Sequence, residues 1–271
     1  MERNTAKRTL EKLLSVCICL CMLGAMLPAQ VFAEEADTAQ TETVQDTAPK
    51  DTVYLSSADD LIQLAKDCRL DSWSQNRTVV LEADIDLSSV DFNGIPSFGG
   101  TWEGQNHAIT GLSLSQDGSV QGLFRYVQQG ALVRDMTVKG RIKPGGTRAS
   151  VGGIAGSNAG TIENCAFDGV VSGTSQIGGI AGVNTVKGSI NGCTVSGTVY
   201  GSHFVGGVVG QNDGVAANCT NAASVNTTVS QNEVKLNDLT LDNVLKTEKA
   251  NDVTDAGGIA GNNAGVLRAC I

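Results

Sequence analysis

The sequence predicts an all-β solenoid, a stack of β-strand coils, and three observations carry that prediction. The unit Gly-Gly-Ile-Ala-Gly-x-Asn, once varied to Gly-Gly-Val-Val-Gly, opens at Gly152, Gly178, Gly206 and Gly257, in steps of 26, 28 and 51 residues. Cysteines keep the same beat at Cys165, Cys193, Cys219 and Cys270. The residues after each Cys alternate: Phe167, Gly169 and Val171, then Val195, Gly197 and Val199, and period two is the strand period. A strand with glycine-rich turns every 26 to 28 residues cannot bury its own apolar face, so copies must stack and share a core.

From the N-terminus, Arg3, Lys7, Arg8 and Lys12 precede an apolar run from Leu13 to Leu27, and Val31-Phe32-Ala33 offers a small residue for cleavage. Residues 1–33 therefore read as a signal peptide cut after Ala33. None of Cys17, Cys19 and Cys21 follows the small residue that a lipoprotein site needs. The run is too short for an ordinary membrane span. The whole chain holds 19 Lys+Arg against 28 Asp+Glu; without residues 1–33 it holds 15 against 26, net −11, which argues against a nucleic-acid partner. Residues 34–52, rich in Glu, Asp, Thr and Ala, read as a disordered acidic leader.

Structure is expected from residue 53. Ser57-Ala-Asp-Asp60 makes an acidic capping box ahead of Leu61, Ile62, Leu64 and Ala65, a short amphipathic helix ending near Cys68 that covers the open end of the solenoid. Val79 to Leu87 is expected as the first strand, with Leu81, Ala83, Ile85 and Leu87 on one face and Asp84 and Asp86 on the other. Further coils are placed near 78–114, 120–142, 151–173, 177–201, 205–225 and 256–271.

The cysteine column extends upstream. Met136-Thr-Val138-Lys-Gly140-Arg-Ile142 overlays Cys165-Ala-Phe167-Asp-Gly169-Val-Val171, and Leu112 with Leu114 is set one coil earlier, giving the column Leu112, Met136, Cys165, Cys193, Cys219, Cys270. A place held elsewhere by Leu or Met marks these cysteines as buried small hydrophobes. No Cys-x-x-Cys pair and no nearby His support a zinc site, and the five cysteines after residue 33 are an odd number, so disulfides are incidental.

Asn158, Asn184, Asn212 and Asn263 recur two residues after the third Gly of their units, where Asn accepts left-handed geometry and bonds turn backbone; stacking would align them in a ladder. The paired glycines let adjacent coils approach closely. Between Ala223 and Ala256 the rhythm lapses, leaving an insertion at about 226–252 that includes Leu236, Leu239 and Val244, a short helix or a degenerate coil. Insertions of this kind often lie on a binding face.

Asp84-Ile-Asp-Leu87, Ile95-Pro-Ser-Phe-Gly-Gly-Thr-Trp-Glu-Gly104, His107-Ala-Ile-Thr-Gly-Leu112, Gly122-Leu-Phe124 and the Gly-Gly-Ile-Ala-Gly-x-Asn units together resemble the GLUG-repeat proteins of bacterial surfaces, over about residues 53–271. The resemblance implies a right-handed parallel β-helix of the pectin-lyase type. It also implies an exported protein of Gram-positive bacteria, as in the non-catalytic N-terminal part of some immunoglobulin A metallopeptidases.

Polysaccharide-cleaving β-helices need clustered outward carboxylates with a nearby Lys or Arg. Asp84, Asp86 and Asp91 are the one close acidic group in the apparent coils, while Glu163, Asp168, Lys187 and Asp213 are scattered through the later ones. The two histidines, His107 and His203, form no His-Glu-x-x-His, and there is no Gly-x-Ser-x-Gly elbow. No residue is therefore assigned as catalytic, cofactor-binding or metal-binding, and no cofactor is expected.

The expected protein is a non-catalytic secreted or cell-surface module for adhesion, ligand presentation or spacing, offering an acidic, glycine-rich face to a host or matrix glycan or protein or to a cell-envelope component. The alternatives are the N-terminal stalk of a larger extracellular enzyme such as a metallopeptidase, and a polysaccharide-cleaving β-helix. Cys270-Ile271 begins a strand that stops without a cap, so the chain is expected to be truncated at its C-terminal end.

Overall fold

The structure, a computed structural model, describes residues 51–146, 148–226 and 255–271. The expected signal peptide, nearly all of the leader and the 226–252 insertion after Asn226 lie outside the described residues.

Among the described residues every strand pairing is parallel, and the strands form four sheets of eight, seven, six and four strands in which each coil adds a neighbour. One complete coil runs Ala149–Gly152, Ala155–Asn158, Thr161–Glu163 and Ala166–Ser172, in the four-, six-, eight- and seven-stranded sheets respectively. The next repeats it at Ser175–Gly178, Ala181–Asn184, Ser189–Asn191 and Thr194–Tyr200. This is a parallel β-solenoid, as the repeat predicts.

The registers follow the sequence units. Val151, Ile177 and Val205 stack in line, as do Asn158, Asn184, Asn212 and Asn263. The overlay of residues 136–142 on 165–171 also holds: Val138 pairs with Phe167, Gly140 with Gly169 and Ile142 with Val171. In the first three units the second glycine is required by close approach. A Cβ on Gly153 would lie 2.2 Å from the Gly179 carbonyl and 2.3 Å from the Phe167 ring.

The core is continuous from Leu55 to Cys219. Near its N-terminal end it is filled by Phe98, Trp102 and Phe124, whose ring centroids lie 5.2–6.0 Å apart. Later coils use mainly Ile, Val, Ala and Cys, with Phe167 a buried aromatic among them.

Helix α1 (Ala58–Asp67) starts where the sequence places it. The Ser57 hydroxyl accepts the Asp60 N–H at 3.2 Å, and the Asp60 carboxylate accepts the Ser57 hydroxyl at 2.8 Å and the Ser56 N–H at 3.0 Å. Leu61, Leu64 and Cys68 are buried beneath it. The helix packs against Thr52–Leu55 and Ile95–Phe98, which are edge strands of two different sheets.

Three expectations need correction. The first strand is Thr52–Leu55, paired with Thr78–Leu81, and the run 79–87 breaks at Glu82 into two short strands, Thr78–Leu81 and Ile85–Asp86, belonging to different sheets. Ala83 lies at that corner and is only half-buried, so alternation of apolar residues there spans a bend.

Leu112 does not head the cysteine column. A one-residue bulge between Ile109 and Leu112 pairs Leu112 with Gly140, and the place above Met136 belongs to Gly104, where a Cβ would stand 2.5 Å from the Met136 Cβ.

The third concerns the backbone of the asparagine ladder. Asn158, Asn184, Asn212 and Asn263 are not left-handed; positive φ angles recur instead in other columns, among them Asp135, Asn164, Gly192, Asn218 and Ala269 at the corner between the eight- and seven-stranded sheets, and Ser150, Gln176 and Phe204 in the four-stranded sheet.

Candidate functional site

The interior columns use their polar groups on one another. Asn158 Nδ2 donates to Asn184 Oδ1 at 2.8 Å, Asn184 Nδ2 to Asn212 Oδ1 at 2.8 Å, and Asn212 Nδ2 to Asn263 Oδ1 at 2.7 Å. Asn158 Oδ1 also accepts the Gly160 N–H at 3.1 Å, so the turn-bonding role expected of these residues is present. Asn158, Asn184 and Asn212 are wholly buried and cannot meet a ligand.

Among the described residues the cysteines are free thiols, all buried except the half-buried Cys270. Cys165 and Cys219 donate to the carbonyls of Glu163 and Ala217, each at 3.2 Å. Burial pushes the Cys165 thiol up to about 12, and its contact with Cys219 together with burial holds Cys193 well above the ordinary thiol value. Such thiols are packing groups rather than nucleophiles.

Of the acidic group, Asp84 Oδ1 accepts the Ala108 N–H at 2.8 Å and lies 3.1 Å from His107 Nδ1. Asp86 accepts the Ser88 N–H and hydroxyl, each at 2.9 Å. Those hydrogen bonds hold both carboxyls below the usual carboxylate range. Asp91 lies apart, beside Lys66 and Arg69. Asp84 is thus tied to the next coil and Asp86 to its own turn, so both carboxylates serve the backbone.

The scattered charges stay scattered. Lys139 Nζ lies 3.9 Å from Asp168, His203 is 3.6 Å from Asp255, and Asp213 accepts from Gln211 at 2.9 Å. Among the described residues no three His, Cys, Asp or Glu side chains converge as a metal site. No described helix is long and apolar enough to cross a membrane.

A concave surface lies on the outside of the six-stranded sheet near its N-terminal edge. A hollow of about 670 Å³ is lined by residues including Asp71, Arg125, Tyr126, Gln128 and Ser157. It adjoins a second of about 290 Å³ whose lining includes Lys66, Arg69, Asp91 and Asn93; Pro96 and Arg125 belong to both. Gln128 Nε2 donates to the Asp71 carbonyl and to Ser97 Oγ, both at 2.7 Å, which ties the segment after α1 to the sheet. The sequence reading passed over this surface. The one available signal is that Phe124 points inward, so Tyr126, two residues on within Phe124–Val127, is a large aromatic that stays 47% exposed.

A family model described as the GLUG motif matches residues 147–172. Over 128 residues, 41% of its length, the chain is 29% identical to a halomucin of Haloquadratum walsbyi and covers 1% of that protein. A crystal structure of a candidate immunoglobulin A1 protease from Bacteroides ovatus aligns with a TM-score of 0.49 at 17% identity, covering 80% of this chain and 74% of that one. The matched span 147–172 contains one whole coil, from Ala149–Gly152 through Ala166–Ser172, and the next coil pairs with it strand for strand. The GLUG motif match thus falls on one coil of a parallel β-solenoid.

Proposed function

We propose that the chain is a non-catalytic extracellular module, exported to the medium or the cell surface, that adheres to or presents a ligand along its coils. The observation that carries this reading is how the polar residues are used. The asparagine ladder, the cysteine column and the Asp84 and Asp86 carboxylates are all engaged in stacking coils or closing turns. What remains for function is outward-facing surface on a long rigid support, the usual arrangement in solenoids that bind partners. The GLUG motif and the partial likeness to a halomucin support an extracellular setting.

Fractionation of producing cells tests the reading, followed by retention of the purified native chain on a mucin-coated surface against an albumin-coated one. The expected result is chain in the medium or in the protease-accessible surface fraction, with selective retention on mucin. Chain confined to the cytosol, or equal retention on both coatings, would overturn it.

A further inference from the structure

The outer face of the six-stranded sheet carries a preformed cleft whose chemistry specifies a ligand. In register across three coils stand Ser97, Tyr126 and Ser157, so neither coil beside Tyr126 places a bulky side chain at its position, and its ring is open to the hollow. At about 670 Å³ the hollow falls within the ~300–1,000 Å³ span of small-ligand clefts.

Its walls are fixed before any ligand arrives. Gln128 is held at both ends of its amide, donating to the Asp71 carbonyl and Ser97 Oγ and accepting from Gln75 Nε2 at 2.9 Å. Arg125 donates through Nε to the Val120 carbonyl at 3.1 Å and through one terminal nitrogen, Nη2, to the Ser119 carbonyl at 3.3 Å. Its other terminal nitrogen takes no part in those bonds and remains a donor for a bound group.

The charge balance here runs against that of the chain. Overall there are 19 Lys+Arg to 28 Asp+Glu, yet the two hollows gather Lys66, Arg69 and Arg125 against Asp71 and Asp91. Arg134 and Lys139 are paired with Glu103 and Asp168, whereas no described carboxylate comes within ion-pair distance of Lys66, Arg69 or Arg125.

We propose that this cleft binds an acidic saccharide, a sugar bearing a carboxylate. Tyr126 offers its ring to the apolar face of the sugar. Asp71 accepts from its hydroxyls, and Arg125, with Lys66 and Arg69 in the adjoining hollow, takes the carboxylate. An open aromatic flanked by hydroxyl, amide and charged groups suits a sugar, whose apolar ring face lies on the aromatic while its hydroxyls and carboxylate take the polar groups. The proposal rests on the adhesive reading above and names the ligand class and the place.

The test is a titration of the full chain with sialyllactose, trigalacturonate and neutral lactose, by calorimetry or saturation-transfer NMR. At least one acidic sugar is expected to bind about tenfold or more tighter than lactose. Tyr126→Ala should weaken that binding by about tenfold, and the double change Lys66→Gln with Arg69→Gln should bring the acidic sugar down towards lactose, each with an unchanged melting temperature. Binding of sialyllactose alone identifies a sialic-acid ligand, and binding of trigalacturonate alone a uronate.

Equal binding of all three sugars, binding of none, or a Tyr126→Ala protein that binds as the unaltered one overturns the proposal. The two readings fail separately. Retention on mucin without sugar binding removes the cleft and leaves adhesion, whereas cytosolic confinement removes adhesion whatever the titration shows.

Discussion

Asn184 is bonded on both sides within the coil stack, accepting from Asn158 and donating to Asn212, each at 2.8 Å, with no exposure to solvent. Its amide also donates to the Gly188 and Val215 carbonyls at 3.3 and 3.2 Å. A buried amide in this position links three coils, and its removal leaves partners on two of them without solvent to replace it.

Asn184→Ala is therefore expected to destabilise the chain by about 3 kcal/mol, the sum of the lost bonds and the stranded amides of Asn158 and Asn212. Asn263→Ala, at an exposed position with a single ladder partner, should cost under about 1 kcal/mol. Urea unfolding of the two variants gives the comparison, and equal losses would show that the ladder does not hold the coils.

Gly169 tests the coil spacing. Its φ is +154°, and a Cβ would stand 1.9 Å from the Gly140 carbonyl, whereas a Cβ on Gly258 meets nothing within 4 Å. Gly169→Ala should lower stability by about 3 kcal/mol or more, and Gly258→Ala should stay within about 0.5 kcal/mol of the parent, read from thermal melts.

Thiol accessibility should follow burial. Site-resolved mass spectrometry after brief alkylation of the native chain is expected to find Cys270 modified and Cys68, Cys165, Cys193 and Cys219 protected until denaturant is added. Burial holds the Cys68 thiol up at about 12, which suppresses its thiolate as well. Modification of Cys165 as fast as Cys270 would contradict the packing.

Acid sensitivity has a definite sign. Asp60, Asp84 and Asp86 have folded values depressed by hydrogen bonds from Ser56, Ala108 and Ser88 respectively. Groups depressed on folding add stability above their unfolded value and lose it as pH falls through the folded one, so melting temperature should drop below about pH 4. A triple change of Asp60, Asp84 and Asp86 to Asn should flatten that drop while lowering stability at neutral pH. An unaltered acid profile would show that these bonds do not survive in solution.

The repeat was legible in the sequence because stacking forces each position to see its own equivalent one coil away. Val138 over Phe167 and the buried cysteines could be read from spacing alone. Reading failed where local geometry breaks the period. A corner interrupts 79–87, a one-residue bulge displaces Leu112, and the left-handed turns fall on Asp135, Asn164 and Asn218 rather than on the repeating asparagines. The Tyr126 cleft was hidden for a different reason. It is assembled from the segment after α1 and strands of three coils, and its coil has lost the glycine signature that marks the others.

The most direct test of the stack is a pair of engineered disulfides on its outer face. Ser157 and Val183 are register neighbours on adjacent coils, and Gln211 lies one coil further. Neighbouring strands lie about 4.8 Å apart, within reach of a disulfide, and two coils span about 9.6 Å, beyond it. Ser157→Cys with Val183→Cys should oxidise to a bridge mapped by peptide mass, and Ser157→Cys with Gln211→Cys should remain reduced in the folded chain. A bridge in the second pair, or none in the first, would contradict the parallel in-register solenoid.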